Sequence, residues 1–247
     1  MSVFDEGLTD SQIMMREVCR KFVDNTIEPF IRLNWQDEWK MVPDNRLPAN
    51  ILEEADRIGI RTLAVPEKFG GTPLEKEHEV RTFAIISEEI ARGDSGLADK
   101  LVQNWKVSVL LRELASEEHQ KKWFGKLMST PGFLFAHALT EPKGASDRWL
   151  GYNAPEASMD TKAVKTSGGW IINGRKHYIS NGYDAGLYVV YANTSPEKGM
   201  MQGTSSFIVP RGTEGFNIAR CNETVGCRFM NNGELEFVDC FVPDDQL

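Results

Sequence analysis

Hydrophobic residues recur at three- to four-residue intervals through the first half of the chain, which is the spacing of one face of an α-helix. Thr9 precedes the first such run and Gln12 follows three positions on, the pattern of a capping box that satisfies two backbone N–H groups. The run behind this pair predicts a first helix with one buried stripe. The residues of the predicted stripe are Met14, Val18, Phe22 and Ile27.

Proline, glycine and serine divide the rest of this half into further predicted helices. Pro48 is placed to open a helix and Gly59 to end it. A third helix is predicted in residues 78–96, and residues 101–129 divide at Ser116, which is expected to cap the second of two more helices. We therefore predict about five helices in this half of the chain.

The pattern changes from Gly132 onward, where the apolar segments are short, several alternate with period two, and turn residues separate them. A block of helices followed by a block of strands favours two packed units over a βαβ sheet, and a Rossmann fold is also disfavoured because the chain has no GxGxxG motif. The predicted fold class is α+β, with an N-terminal α-helical bundle in residues 1–130 and an antiparallel β-barrel or sandwich in residues 131–247. The predicted strands lie in residues 133–139, 161–166, 169–173, 177–180, 187–193, 205–210, 216–220 and 234–243.

Net charge and the positions of the cysteines and histidines exclude several classes of function. The net charge is −8, and the cysteines and histidines are scattered along the chain. An acidic chain without clustered Lys and Arg lacks the surface that binds nucleic acid. No apolar stretch approaches the roughly 20 residues needed to span a bilayer, and the first residues do not resemble a secretory signal. Because the cysteines form no CxxC pair, we expect no metal site and no disulfide framework, and a cytoplasmic protein, with the mitochondrial matrix or another organelle as the alternative.

Three motifs, taken in order and spacing, carry a resemblance to a known family. Residues 138–147 are ALTEPKGASD, residues 169–182 are GWIINGRKHYISNG, and residues 225–243 are VGCRFMNNGELEFVDCFVP. The first two are similar to the TEPxxGSD loop and the INGxKxWITNG hairpin of the acyl-CoA dehydrogenases, and the third resembles the strand pair that closes their β-domain. The resemblance covers essentially the whole chain and implies the helical N-terminal domain and the β-domain of that family, with FAD as cofactor.

The resemblance also implies which residues of the first motif contact the flavin. His137, Leu139 and Thr140 would edge the isoalloxazine ring, and Thr140 would hydrogen-bond its pyrimidine side, where charge accumulates on reduction. Ser146 would lie by the FAD pyrophosphate and by the pantetheine of the acyl-CoA substrate, since the bend before it bares N–H groups that attract anionic oxygens. This motif is thus expected to bind both cofactor and substrate.

In the second motif the resemblance implies a flavin contact over three consecutive residues. Tyr178 stands where the family has Trp and would pack on the flavin face, and Ser180 stands where it has Thr and would offer a hydroxyl to N5. Ile179 lies between them and completes the predicted contact. Without the resemblance, Tyr178 is interpreted as a half-buried strand aromatic, Thr140 and Ser180 as ordinary strand hydroxyls, and His137 as a histidine with a structural partner.

Two further residues invite a functional role and also have simpler interpretations. Glu141 has the chemistry of a general base, but a Glu before Pro in a turn is usually solvated, and we expect no catalytic role for it. Trp105 could line an acyl pocket, although a Trp within a helix is more often part of the core.

The resemblance implies the α,β-dehydrogenation of an acyl-CoA thioester, with an electron-transfer flavoprotein as electron acceptor and a homo-oligomer, dimer or tetramer, as the full-length form. In the family the base that removes the α-proton lies in a C-terminal helical domain, so we expect a truncated chain and predict no catalytic base within it. Two alternatives stay open. One is an acyl-CoA oxidase or flavin monooxygenase of the same fold, and the other is a non-catalytic subunit that binds FAD or a partner.

Overall fold

The computed structural model of the chain describes residues 6–37, 40–46, 48–72, 74–144 and 157–247. Two compact units divide the chain between them. The first comprises Met1–Phe133 together with Val225–Met230, and the second comprises Leu134–Thr224 together with Asn231–Leu247. The first unit is helical and the second is built on one sheet, so the α+β fold class is confirmed.

Six α-helices make up most of the first unit. The first, α1, runs through a π-helical turn at Val23–Ile27 directly into α2. This turn lies just ahead of Pro29, which has no N–H and whose ring crowds the carbonyl one turn back, so the wider turn lets the helix continue. None of the helices in the described part of the chain is long and apolar enough to cross a membrane. The helices are α1 Asp10–Phe22, α2 Glu28–Asn34, α3 Ala49–Arg57, α4 Glu79–Gly93, α5 Ser95–Leu114 and α6 Glu117–Ser129.

Three of the predicted helix ends agree with the structure, but the boundary predicted after residue 96 is wrong, since α4 ends at Gly93 and α5 begins at Ser95. The backbone N–H of Thr9 donates to the Gln12 side chain at 3.1 Å, and the backbone N–H of Gln12 donates to Thr9 Oγ1 at 3.2 Å, which completes the capping box of α1. Ser116 caps α6 by accepting the backbone N–H of His119 at 3.3 Å. Gly59 follows α3 with φ +76°, a left-handed conformation that glycine adopts at little cost.

The predicted buried stripe of α1 is wrong at two of its four positions. Met14 is 62% exposed and Val18 is 40% exposed, although both are apolar. Gln12 is buried instead, and its side-chain amide donates to Thr82 Oγ1 of α4 at 3.3 Å. The buried face of α1 therefore includes a polar residue whose hydrogen bond is satisfied by a neighbouring helix. The apolar residues on the buried face are Cys19, Phe22, Val23 and Ile27.

Trp105 belongs to the core of the helical unit. Its side chain is almost fully buried in α5, its ring stacks on Phe83 with centroids 5.4 Å apart, and its indole N–H donates to the Ile60 carbonyl at 2.6 Å. A ring that is enclosed and hydrogen-bonded in this way fills the core, so the simpler of the two interpretations of Trp105 is correct.

Among the described residues of the second unit, seven strands form one sheet, in the order β1-β4-β2-β3-β7-β6, with β5 paired to β4. Pairing is antiparallel as predicted for β2–β3, β3–β7, β6–β7 and β4–β5. The exceptions are β1, which lies parallel to β4, and β2, which meets β4 in parallel at a single residue pair. The strands are β1 Phe135–Ala138, β2 Lys162–Thr166, β3 Gly169–Ile179, β4 Leu187–Asn193, β5 Thr204–Pro210, β6 Phe216–Cys221 and β7 Gly233–Pro243.

Candidate functional site

The turn after β1 lies directly beside β3, although the two segments are more than thirty residues apart in the sequence. The backbone N–H of His177 donates to the Thr140 carbonyl at 2.9 Å. One residue away, Lys176 Nζ donates to the Leu139 carbonyl at 3.2 Å. The structure therefore brings together the ends of the two motifs that were expected to contact a flavin.

A β-bulge in β3 decides the direction in which Tyr178 points. Lys176 pairs with Leu235 and Ile179 pairs with Gly233, so three steps along β3 face two steps along β7. The extra residue breaks the alternation of β3, and Lys176 and Ile179 both lie buried while Tyr178 turns outward with 60% of its surface exposed. The half-buried strand aromatic expected from alternation is therefore not what the structure contains.

The backbone of Tyr178 is in the left-handed region, with φ +56°. A non-glycine residue in this region carries strain, and such strain is found most often where a side chain has to be placed for function. Next to it, the His177 ring meets the Tyr178 ring edge-on with centroids 3.9 Å apart, and His177 Nδ1 lies 3.6 Å from the buried carboxylate of Glu234. The Tyr178 ring is thus packed against the ring of the preceding residue, His177.

Two residues with hydroxyl side chains occur in the segments that meet at Tyr178, and we call these segments, Leu139–Thr140 and Tyr178–Ser180, the rim. Thr140 follows β1 and Ser180 follows β3, and both residues are half-buried. The turn after Ser180 is anchored by Asn181, which is buried with φ +59° and donates from Nδ2 to the Phe135 carbonyl at 3.1 Å. The end of β3 is therefore tied back to the start of β1.

His137 has a structural partner within the sheet. Its Nε2 lies 3.1 Å from the Tyr191 hydroxyl, and the two rings meet edge-on with centroids 4.9 Å apart. Burial raises the pKa of the Tyr191 phenol, which keeps its proton available for this hydrogen bond. The half-buried His137 is therefore held in place beside the rim, as expected of a histidine with a structural partner.

Glu141 is buried, which corrects the expectation that it is solvated. Only 6% of its surface is exposed, and its carboxylate accepts the backbone N–H groups of Asp160 at 2.6 Å and of Thr161 at 2.9 Å. Lys176 Nζ donates to the same carboxylate at 2.7 Å. The next two residues of the turn, Pro142 and Lys143, are exposed, whereas the Glu141 side chain folds inward to meet the lysine.

Burial and charge act against each other on this pair. Burial works to raise the pKa of the Glu141 carboxyl, but Lys176 and hydrogen bonding from Thr161 hold that pKa below its ordinary value. Burial lowers the pKa of the Lys176 ammonium to about 8, although Glu141 opposes the shift. At neutral pH Glu141 is thus an ionised acceptor with its oxygens occupied, and this supports the expectation that it is not a general base.

Sequence reasoning did not find the Glu141–Lys176 pair. Lys176 falls between the predicted strands 169–173 and 177–180, whereas in the structure β3 continues without a turn from Gly169 to Ile179 and Lys176 lies on its buried face. Ser146, expected to contact both FAD and acyl-CoA, lies outside the described residues.

The rim formed by Leu139, Thr140 and Tyr178–Ser180 has the chemistry that a flavin requires. An exposed aromatic ring offers a face for stacking against a heterocycle. The hydroxyls of Thr140 and Ser180 can donate to ring nitrogens or oxygens. The residues present therefore fit a bound flavin.

Comparison with known proteins gives a match over most of the chain. Residues 9–131 match the family model described as acyl-CoA dehydrogenase, N-terminal domain, and residues 136–240 match acyl-CoA dehydrogenase, middle domain. An acyl-CoA dehydrogenase of Bacillus subtilis (strain 168) is 28% identical over 240 residues, which cover 97% of this chain and 58% of the relative.

Two solved structures share the fold and were determined with small molecules bound. The FAD complex of PigA has a TM-score of 0.82 at 26% identity, and the complex of glutaryl-coenzyme A dehydrogenase with glutaryl-CoA has a TM-score of 0.81 at 27% identity. Each match covers 98% of this chain, but only 58% and 57% of the respective neighbour. The chain thus spans little more than half the length of the proteins it resembles.

Proposed function

Because the chain belongs to the acyl-CoA dehydrogenase family, through that family's N-terminal and middle domains, we propose that the protein binds FAD and dehydrogenates an acyl-CoA thioester between Cα and Cβ. The observation that carries the proposal is the rim on which the end of β1 meets the bulged end of β3. There the backbone of His177, next to the exposed Tyr178, donates to the Thr140 carbonyl, and Ser180 follows two residues after Tyr178.

Each residue of the rim has a proposed role. Tyr178 packs on one face of the flavin ring, Thr140 donates to its pyrimidine edge, and Ser180 donates near N5. Both hydroxyls thereby stabilise negative charge that develops on the ring during reduction, an effect that is strong where the donors are fixed in advance. The proposed cofactor contacts, by side chain or backbone, are His137, Leu139, Thr140, Ser146, Tyr178, Ile179 and Ser180, and Ser146 is also the proposed contact to the substrate.

Dehydrogenation removes a proton from Cα and a hydride from Cβ and leaves a double bond between them. When bound, FAD supplies the acceptor for that hydride. The residues of this chain position the flavin ring and the thioester relative to each other. Such positioning supplies much of the rate of a reaction that occurs at two centres. No residue of the chain is assigned the removal of the α-proton.

The nature of the solved neighbours supports the cofactor and the substrate class. A neighbour of this fold was solved with FAD and another with an acyl-CoA, and most of this chain aligns with both. We further propose a homo-oligomer, dimer or tetramer, that passes its electrons to an electron-transfer flavoprotein in the cytoplasm or the mitochondrial matrix.

Anaerobic mixing of the full-length protein with saturated acyl-CoA thioesters tests the proposed reaction. We expect the visible flavin band to bleach with at least one of them, and a dye or an electron-transfer flavoprotein to restore it faster than oxygen does. A Ser180→Ala variant is expected to bleach about tenfold more slowly or worse, since a fixed donor is lost. A flavin that stays oxidised with every thioester contradicts the proposal, and reoxidation mainly by oxygen indicates an oxidase instead.

A further inference from the structure

We propose that Glu141 and Lys176 form a buried clamp that positions the flavin rim. This inference rests on the proposed function, because it assigns the clamp a role at the FAD site. Neither side chain is a catalytic residue here, since both act through the backbone that they hold.

The clamp joins three segments of the sheet unit. The Glu141 carboxylate belongs to the turn after β1 and accepts the N–H groups of Asp160 and Thr161, just before β2. Lys176 belongs to β3 and donates to that carboxylate and to the Leu139 carbonyl. One fully buried ammonium, with 0% exposure, therefore connects the turn to the strand.

The same lysine stands immediately before the bulge. His177, the next residue, donates its N–H to the Thr140 carbonyl, and Tyr178 follows in its left-handed conformation. A shift of Lys176 along or out of the sheet therefore moves the proposed flavin contacts on both sides of the rim at once. Contacts that hold a binding group in place commonly change affinity about 10- to 100-fold when they are removed, as at metal sites.

Three variants distinguish an effect of the clamp on the position of the rim from an effect on the folding stability of the protein. In Lys176→Met the buried Glu141 carboxylate loses the ammonium that pairs with it, and in Glu141→Gln the buried Lys176 amine loses its carboxylate acceptor, so both single variants are expected to unfold at lower denaturant concentration. In the double variant Glu141→Gln, Lys176→Met no charge is buried. Asp160 and Thr161 donate to different oxygens of the Glu141 carboxylate, so the single glutamine oxygen can accept only one of these two N–H groups. We expect the apoprotein of the double variant to recover part of the stability that the Lys176→Met variant loses.

The affinity for FAD is expected not to recover, because the tie between Lys176 and the Leu139 carbonyl is gone. FAD titration of the full-length apoprotein should show a dissociation constant about tenfold or more above wild type in both the Lys176→Met variant and the double variant. Val242→Ala serves as the stability control. It leaves a cavity at the buried end of β7 that lies away from Tyr178, and it should leave FAD affinity unchanged. Lys165→Met removes an exposed ion pair with Asp244 and should change neither property.

The outcomes distinguish the failure of this inference from the failure of the proposed function. Wild-type protein that takes up no FAD contradicts the proposed function itself, whatever the variants do. Wild-type protein that binds FAD, with variants of equal affinity, overturns only the clamp. A double variant that regains both stability and FAD affinity also overturns it, since the pair then serves folding alone.

Discussion

Tyr178 combines a strained left-handed backbone with a ring that is largely in solvent. Neither property helps the chain to fold, since a left-handed conformation costs about 1–2 kcal/mol for a residue with a side chain. An exposed ring also returns little of the free energy that burial would supply. The residue is therefore better explained by what it binds than by what it stabilises.

A Tyr178→Gly variant tests this explanation. Glycine removes the strain but adds about 0.5–1 kcal/mol of chain entropy to the unfolded state, so the free energy of unfolding should stay equal or rise. Affinity for FAD should fall, because aromatic contacts contribute about 0.5–1.5 kcal/mol beyond the area they bury. Denaturant unfolding and FAD titration measure the two effects.

Tyr178→Ala is the matched control, since it loses the ring but keeps the strain. It should bind FAD as weakly as the glycine variant and be less stable than it. A glycine variant that loses more than about 1 kcal/mol of stability would show that the ring has a structural role.

Lys176 gives the stability of the protein a specific dependence on pH. Its pKa of about 8 in the folded chain lies below the ordinary value of about 10.4 that it has when unfolded. Between these two pH values the unfolded chain holds a proton that the folded chain lacks, so the free energy of unfolding rises with pH through this group. Glu141, whose pKa is lowered, stays ionised throughout that window.

Urea unfolding from about pH 7.5 to about pH 10 measures this contribution. The stability of wild type, relative to the Glu141→Gln, Lys176→Met double variant, should increase across the window, because the double variant lacks both titrating groups. A difference that stays constant with pH would mean that Lys176 keeps an ordinary pKa.

Among the helices, Asp94 forms the junction between α4 and α5. Its backbone N–H donates to the Ile90 carbonyl at 3.1 Å and closes α4, while its carboxylate accepts the N–H of Leu97 at 2.8 Å and caps α5. Burial raises the pKa of this carboxyl, and the N–H groups of Leu97 and Gly96 partly offset the shift. The Asp94 side chain therefore stabilises α5 as a hydrogen-bond acceptor, whereas burial of its negative charge is unfavourable.

Substitutions at Asp94 should separate the acceptor from the charge. Asp94→Ala removes the cap and should lower the free energy of unfolding by about 1 kcal/mol. Asp94→Asn keeps an acceptor without the charge and should be at least as stable as wild type at neutral pH. Equal losses in the two variants would mean that the negative charge itself stabilises the junction.

These elements differ in how far the sequence predicts them. Caps such as Thr9 and Ser116 act within a few residues, so local patterns predict the helix ends well. The burial of Gln12 in α1 comes with a hydrogen bond to Thr82, seventy residues away, and no local pattern contains that partner. The bulge at Tyr178 is likewise set by pairing with β7, since alternation along one strand cannot reveal an extra residue.

For the chain as a whole, the order of motifs predicts the family and the two kinds of structural unit. It also identifies the two segments that meet at the rim, because each is a continuous motif. The segment Val225–Met230 was not expected to group with the helices. It does so where Gly96 lies so close to Cys227 that a Cβ there would come within 2.9 Å of the Cys227 carbonyl carbon, a contact between distant parts of the sequence.

Glu141 and Lys176 also show the difference between what a local motif contains and what only the folded chain brings together. Each is visible in its motif, but their pairing depends on the turn after β1 folding back against β3. The sequence suggests a solvated glutamate, and the structure contains a buried acceptor that holds three segments together. Long-range pairing of this kind lies beyond prediction from one chain without its fold.

The central claim is that the rim at Tyr178 and Ser180 holds a flavin. The absorption spectrum of the full-length protein, purified and then reconstituted with FAD, tests this most directly. We predict a yellow protein with stoichiometric flavin, and a flavin band that shifts in Ser180→Ala and Tyr178→Ala but not in the distant Val164→Ala on β2. A colourless protein that takes up no FAD on reconstitution would contradict the account.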